Sequence, residues 1–336
     1  MSHTIPEIVG FDNTTLLKSP DSDIRDNAFR DRTDITTMEI PDCVTWIGDN
    51  AFRGCTNLTT IKIPDDVFWI GDCAFFGCTS LTSIVIPNSV TDFGKRVFYD
   101  CTSLNSIKIP YGVTWIADGF FDGCTSLNSI EIPNSVIEIG NEAFDSCKDL
   151  TEISIPNSVI EIGVRAFYHC KSLTKVVIPD SVITLGNGMF DGCIALKEIT
   201  IPDNFKEIGN DTFYNCENLV NIRIPNGVAK ICSGAFYGCK NLVSVILPDT
   251  LKKIYDYVFF ECRNLTDINI PNGVISIGEK AFYGCASLNN ITIPESVISI
   301  GDKAFSNAGT NVISIQYSKA PRIRTKFYGI SNNEGE

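Results

Sequence analysis

Apolar and polar positions follow one another through this chain on a 23-residue cycle. Within a cycle the order is Leu-x-x-Ile-x-Ile-Pro-x-x-Val-x-x-Ile-Gly-x-x-Ala-Phe-x-x-Cys, as in residues 150–170. Twelve prolines keep the step from Pro41 to Pro294, and thirteen phenylalanines keep it from Phe29 to Phe305. Eleven cysteines do so from Cys55 to Cys285, and eleven leucines from Leu58 to Leu288. A constant short period marks a solenoid, in which each repeat packs only on its neighbours.

Residues 150–172 show what one cycle encodes. Ile153 and Ile155 alternate with polar residues, which predicts a short strand with both isoleucines turned inward. Pro156 ends it, because proline brings no N–H to a ladder and suits the corner of a turn. Asn157 and Ser158 are turn residues that bond their own backbone. Val159 and Ile162 return to the core along a short extended arm. Gly163 is expected to take a conformation that a Cβ resists. Ala166 and Phe167 stand four and three residues before Cys170, a spacing that predicts one helical turn with all three on one face.

One unit cannot bury its apolar side alone, but units stacked in register give continuous buried columns. The fold expected is an α/β repeat solenoid of about twelve turns, with a parallel β-sheet on one side and short helical turns on the other. Helical turns need more room per coil than strands, which predicts a curved rod with the sheet concave. A parallel β-helix is the alternative, and the Ala-Phe-x-x-Cys spacing favours the helical turn. Residues 24–317 are read as the solenoid, 1–23 as an N-terminal segment and 318–336 as a C-terminal cap or tail. The end coils depart from the pattern: Arg32 stands in the cysteine column and Ile35 in the leucine column, and Ala308 replaces a cysteine. One inserted residue is expected to set Val312 and Ile315 one place late.

The repeated Pro, Gly, Ala-Phe and Cys landmarks of this unit resemble the BspA-like, or Treponema-type, leucine-rich repeats over residues 24–317. The resemblance implies a right-handed curved solenoid. It also implies adhesion or protein recognition at a cell surface, where members carry a leader or an anchor.

Composition adds limits. The 336 residues are 44% hydrophobic, which suits a folded chain. A net charge of −13 argues against nucleic acid and anionic lipid as partners and favours a soluble monomer. No basic start followed by an apolar run marks a signal peptide, and no 18-residue apolar stretch predicts a membrane span. Localisation stays open. The cysteines suggest a reducing, intracellular setting, while the family resemblance suggests the cell surface.

Fourteen cysteines are present, eleven of them in the column, with Cys43, Cys73 and Cys232 outside it. Column neighbours share one Cβ direction, which opposes disulfides and tetrahedral zinc, so they are read as buried free thiols. The two histidines, His3 and His169, sit in no catalytic context, and neither phosphate-loop nor dinucleotide glycine motifs occur. No catalytic group, cofactor or metal is expected. Glu138 and Glu161 share a column in adjacent coils, and the ordinary reading is a solvated face.

Binding chemistry is sought where the repeats differ. The position between the two isoleucines reads Lys62, Val85, Lys108, Glu131, Ser154, Val177, Thr200 and Arg223 in successive coils, and Lys175 lies two residues before Val177. Such an irregular mosaic suits a partner of large area. Trp46, Trp69 and Trp115, all the tryptophans of the chain, share a second variable column, with Phe68 beside Trp69. Tryptophan is enriched at binding hot spots. Two readings of this column stay open: a contact surface, or rings packing on residues 1–23 and the first turns. A run including Phe76, Tyr99, Tyr214 and Tyr237 follows the buried Phe and is read as packing between turns. The function expected is non-catalytic recognition of a protein or surface polymer through the strand face or the tryptophan flank. A structural spacer or self-assembling rod is the alternative.

Overall fold

The computed structural model describes residues 7–9, 14–18, 23–183, 185–309 and 313–315. The chain forms two compact units, 1–173 and 174–336. Both are built from the same coil: a strand of two or three residues, a proline corner, a second two-residue strand and a turn-rich arm.

In the first unit, strand Thr37–Glu39 pairs in parallel with Thr60–Lys62, each residue meeting the one 23 positions on. The second strands form their own parallel ladders. Trp46–Ile47 pairs with Trp69–Ile70, which pairs with Asp92–Phe93. Further on, Trp115–Ile116 pairs with Glu138–Ile139, and that strand with Glu161–Ile162. Before them, Thr14–Lys18 pairs in parallel with Thr37–Glu39 and antiparallel with Glu7–Val9. In the second unit, Lys175–Val177 pairs with Glu198–Thr200, and Asn221–Arg223 with Ser244–Ile246. Its second strands run as a five-stranded ladder from Glu207–Ile208 to Ser299–Ile300.

The corners form as the prolines predict. The Val67 N–H donates to the Pro64 carbonyl at 3.2 Å, and Val159 to Pro156 at 3.0 Å. The columns are buried as expected: Phe52, Phe75, Phe144, Phe167 and Phe236 are fully enclosed, and so are the column cysteines and leucines beside them. Successive column rings stack face to face at 5.1–5.5 Å from Phe29 to Phe98.

The expected helical turn is not formed: no helix occurs among the described residues. The arm is a run of tight turns in which two residues four apart take left-handed backbone, as at Asn50 (φ 56°) and Gly54 (φ 72°). Its amides alternate in direction. Ala51, Arg53 and Cys55 donate back three residues within the coil, whereas Asn50, Phe52 and Gly54 donate to Asp72, Ala74 and Phe76 of the next coil at 2.7–2.8 Å. The physical reason is spacing. Parallel strands step about 4.8 Å, while helices side by side need about 8–10 Å. An arm stacked at the strand step must bond laterally, and an α-helix would spend those amides internally.

Two further expectations change. Gly163 does not have a positive φ. It is needed because a Cβ there would lie 2.5 Å from the Asn141 nitrogen and 2.7 Å from the Gly140 carbonyl carbon. At the last coil, Ile313 and Ile315 pair with Ile291 and Ile293, a step of 22 rather than 24. The final loop is therefore one residue short, not one long, and Ile313 takes the place expected to be filled late. Gly309 marks the shortened turn, with its N–H on the Cys285 carbonyl at 3.1 Å. Val312 and the tail 318–336 lie outside the described residues, as does most of 1–23.

Candidate interaction surface

Each coil offers two strand faces to solvent. On the first, the side chains between the inward isoleucines stand out from the sheet, and Lys62, Lys108, Glu131, Lys175 and Arg223 are all exposed. Most of these charges are already engaged. Lys62 Nζ lies 2.7 Å from Glu39 Oε1, its in-register neighbour. Lys108 Nζ stands 4.7 Å from the centre of the Tyr111 ring. In the second unit, Lys175 reaches Glu198 at 3.1 Å and Arg223 reaches Asp203 at 3.5 Å. Exposed pairs of this kind contribute little to stability, but they leave few unpaired charges for a partner. Glu131 bridges Ser154 through backbone alone.

The second face is different. In its column, Ile47, Ile70, Phe93, Ile116, Ile139 and Ile162 point inward and are buried. The residue before each points outward: Trp46, Trp69, Asp92, Trp115, Glu138 and Glu161. The three tryptophans are half-buried and Phe68 is 55% exposed. Trp46 and Trp69 are direct ladder partners, as are Glu138 and Glu161. Trp115 Nε1 donates to Asp92 Oδ1 at 2.9 Å, which fixes the indole. The strands Glu7–Val9 and Thr14–Lys18 extend the first face, beside Thr37–Glu39, and do not continue the tryptophan ladder.

The structure adds residues that the column comparison passed over. Ile137 and Ile160, in the column of Phe68, are 49% and 53% exposed, and Tyr111 is 60% exposed at the preceding corner. Their signal was present: the first of the two positions between the inward Val and Ile holds isoleucine in these coils, where Thr45, Thr91 and Thr114 stand in the coils before them.

The arm face carries a third group. Phe76 stacks on Tyr99 at 4.5 Å, and in the second unit Tyr214, Tyr237, Phe260 and Tyr283 stack at 4.4–4.8 Å. These rings pack coil on coil. In the coil after Tyr99 the same column holds Asp122, which is pushed up to about 7, first by burial and then by the carboxylates of Asp145, Glu142 and Asp100. His169 is pushed down by burial and by Lys171, Lys148 and Arg165. All fourteen cysteines are free, and burial raises the column thiols well above their ordinary range. Among the described residues, no group of three or more His, Cys, Asp or Glu is placed to hold a metal ion. Nor is any helix long and apolar enough to cross a membrane.

Comparison with known proteins places this arrangement. A profile of the BspA type leucine rich repeat region matches residues 22–151, 114–242 and 206–333. A leucine-rich repeat protein from Bacteroides ovatus is similar over 90% of both chains, with 30% identity and a TM-score of 0.73. A leucine rich cell surface protein from Faecalibacterium prausnitzii is also 30% identical, over 100% of this chain and 98% of its own, with a TM-score of 0.64. The comparison with curated proteins found no match.

Proposed function

The chain belongs to the BspA-type leucine-rich repeat family, and on that premise we propose that it is a non-catalytic recognition protein. It binds a protein or surface-polymer partner through the tryptophan flank of its first unit. The observation that carries this reading is the side-by-side placement of Trp46 and Trp69 on an outward strand face, with Phe68 more than half exposed beside them. Rigid aromatic side chains offer large contact area at low entropic cost, and exposed apolar clusters mark contact sites. The first face is the weaker candidate, because its lysines and its arginine already hold partners. The Faecalibacterium relative is described as a cell surface protein, which is consistent with a role in adhesion.

The test is capture of a partner from the native host extract by the intact protein and by the Trp46→Ala/Trp69→Ala variant. A partner held by the first and lost by the second, with unchanged circular dichroism, supports the reading. Equal capture by both removes the tryptophan flank. Association of the protein with itself in proportion to concentration, seen by light scattering without any captured partner, would favour a self-assembling rod instead.

A further inference from the structure

The outward column of the first unit mixes rings with carboxylates, one per coil: Trp46, Trp69 and Asp92 are in register in one ladder, Trp115, Glu138 and Glu161 in the next, and the Trp115 indole bonds Asp92 across the step between them. We propose that this face binds an extended cationic segment of a partner protein, in which lysine or arginine residues alternate with apolar ones. The proposal rests on the recognition reading above and adds the chemistry of the partner.

Three observations converge on it. The first is exposed apolar area: Phe68, Ile137 and Ile160 line the same face at 49–55% exposure. The second is charge. From each proline to the residue after the glycine column, the six segments 41–49, 64–72, 87–95, 110–118, 133–141 and 156–164 hold nine carboxylates and one lysine. That lysine, Lys95, is taken by Asp118 at 2.8 Å. The arginines of neighbouring arms are turned to the arm rings instead, Arg53 over Phe76 and Arg165 over Tyr168. The third is an unrelieved repulsion. Glu138 and Glu161 stand opposite each other in a parallel ladder, and among the described residues neither has a cation within ion-pair distance. Like charges directly opposed across a ladder are destabilising, and a bound cation removes that cost.

The partner chemistry follows. A neutral polymer would use the rings and leave the carboxylates unmatched, and an anionic one would be repelled by them. An ammonium or guanidinium group gains from both, because tryptophan is the strongest aromatic host for cations. The column spans five ladder steps, roughly 24 Å, which matches about seven residues of extended chain.

The three tryptophans of the chain all lie in this column, so their fluorescence reports occupancy directly. The probe is a tryptophan-free ten-residue peptide alternating Lys or Arg with Val, titrated into the intact protein. Its control carries Glu in place of the basic residues. The expected result is a saturable change with the cationic peptide alone, weakened as salt is raised and about tenfold weaker for Glu138→Gln/Glu161→Gln. That double variant removes a repulsion, so its melting temperature should hold or rise, which separates lost binding from lost fold. No saturable signal, an equal signal from the anionic control, or full affinity in the glutamine variant would each overturn the proposal. Loss of a native partner on Trp46→Ala/Trp69→Ala, together with silence toward the cationic peptide, would keep recognition and discard the cationic partner.

Discussion

The thiol of Cys78 donates to the carbonyl oxygen of Phe52, one coil earlier, at 3.2 Å. The same oxygen already accepts the Cys55 N–H at 3.1 Å. The pairing recurs along the first unit, from Cys55 on Phe29 to Cys170 on Phe144, and again in the second, as Cys239 on Phe213. The column therefore does more than fill space. Each thiol takes the second lone pair of a buried carbonyl that would otherwise be half used. At the open end, Arg32 holds Asp34 with a two-pronged bond where the next cysteine would stand.

Thiol reactivity should divide sharply. A water-soluble maleimide is expected to label Cys43 at once, and Cys73 and Cys232 slowly, because the first is exposed and the others are half-buried. The eleven column cysteines should react only in denaturant, bringing the total to fourteen. Labelling of the column in the native protein, read by mass spectrometry, would show that these thiols are not enclosed.

Phe167→Ala in the first unit should cost about 3–5 kcal/mol in denaturant unfolding, the range for a fully buried ring. Phe167 is 0% exposed and stacks on Phe144 at 5.4 Å. A loss under about 1 kcal/mol would place the ring in a site able to collapse or open to water.

Two glycines should respond differently to substitution, Gly163 to alanine and Gly77 to asparagine. At Gly163 the new Cβ meets main chain of the preceding coil, which cannot rotate away, and about 1–3 kcal/mol is expected. Ala117, Cys232 and Tyr255 hold this column in other coils, so the cost is that of shifting one neighbour locally. At Gly77 the nearest atom is 3.9 Å away and only the φ of +70° opposes a side chain, so Gly77→Asn should be nearly neutral. Thermal melts of both variants distinguish close approach from left-handed backbone.

Stability should fall as pH rises through the acidic side of neutrality. Asp122 titrates at about 7 in the folded protein and near 4 when unfolded. Between those values the folded state holds the proton and the unfolded state has lost it, so each rise in pH favours unfolding. Burial and the neighbouring Asp145, Glu142 and Asp100 set this shift, and Arg96 opposes it only partly. Asp122→Asn should flatten the profile over that window and raise the melting temperature at pH 7. An unchanged slope would mean that the carboxyl stays ionised and solvated.

The columns could be read before any coordinates, because residue identity repeats at each buried position and only stacking in register explains it. The arm could not. Ala166, Phe167 and Cys170 share a face in a helical turn, but they do so equally in a turn chain bent by two left-handed residues. Those bends fall on Asn50 and Gly54 in one coil, yet on Arg96 and Asp100 or Tyr257 and Glu261 in others, and arginine or tyrosine gives no sign of that backbone. The tryptophan file was visible as a column. The pairing that occupies Lys62 and Arg223 was not, since it depends on where long side chains settle.

The alternation of amides in the arm has a bearing on how such a chain can change its length. Asn50, Phe52 and Gly54 give their protons away to the following coil, so no coil is chemically complete without a successor. A partial insertion strands donors and breaks the step, whereas a whole 23-residue module hands on the same set that it receives. Duplication or loss of entire modules is therefore the nearly neutral route, and it would shift the tryptophan column by one rung while leaving every internal bond as it was.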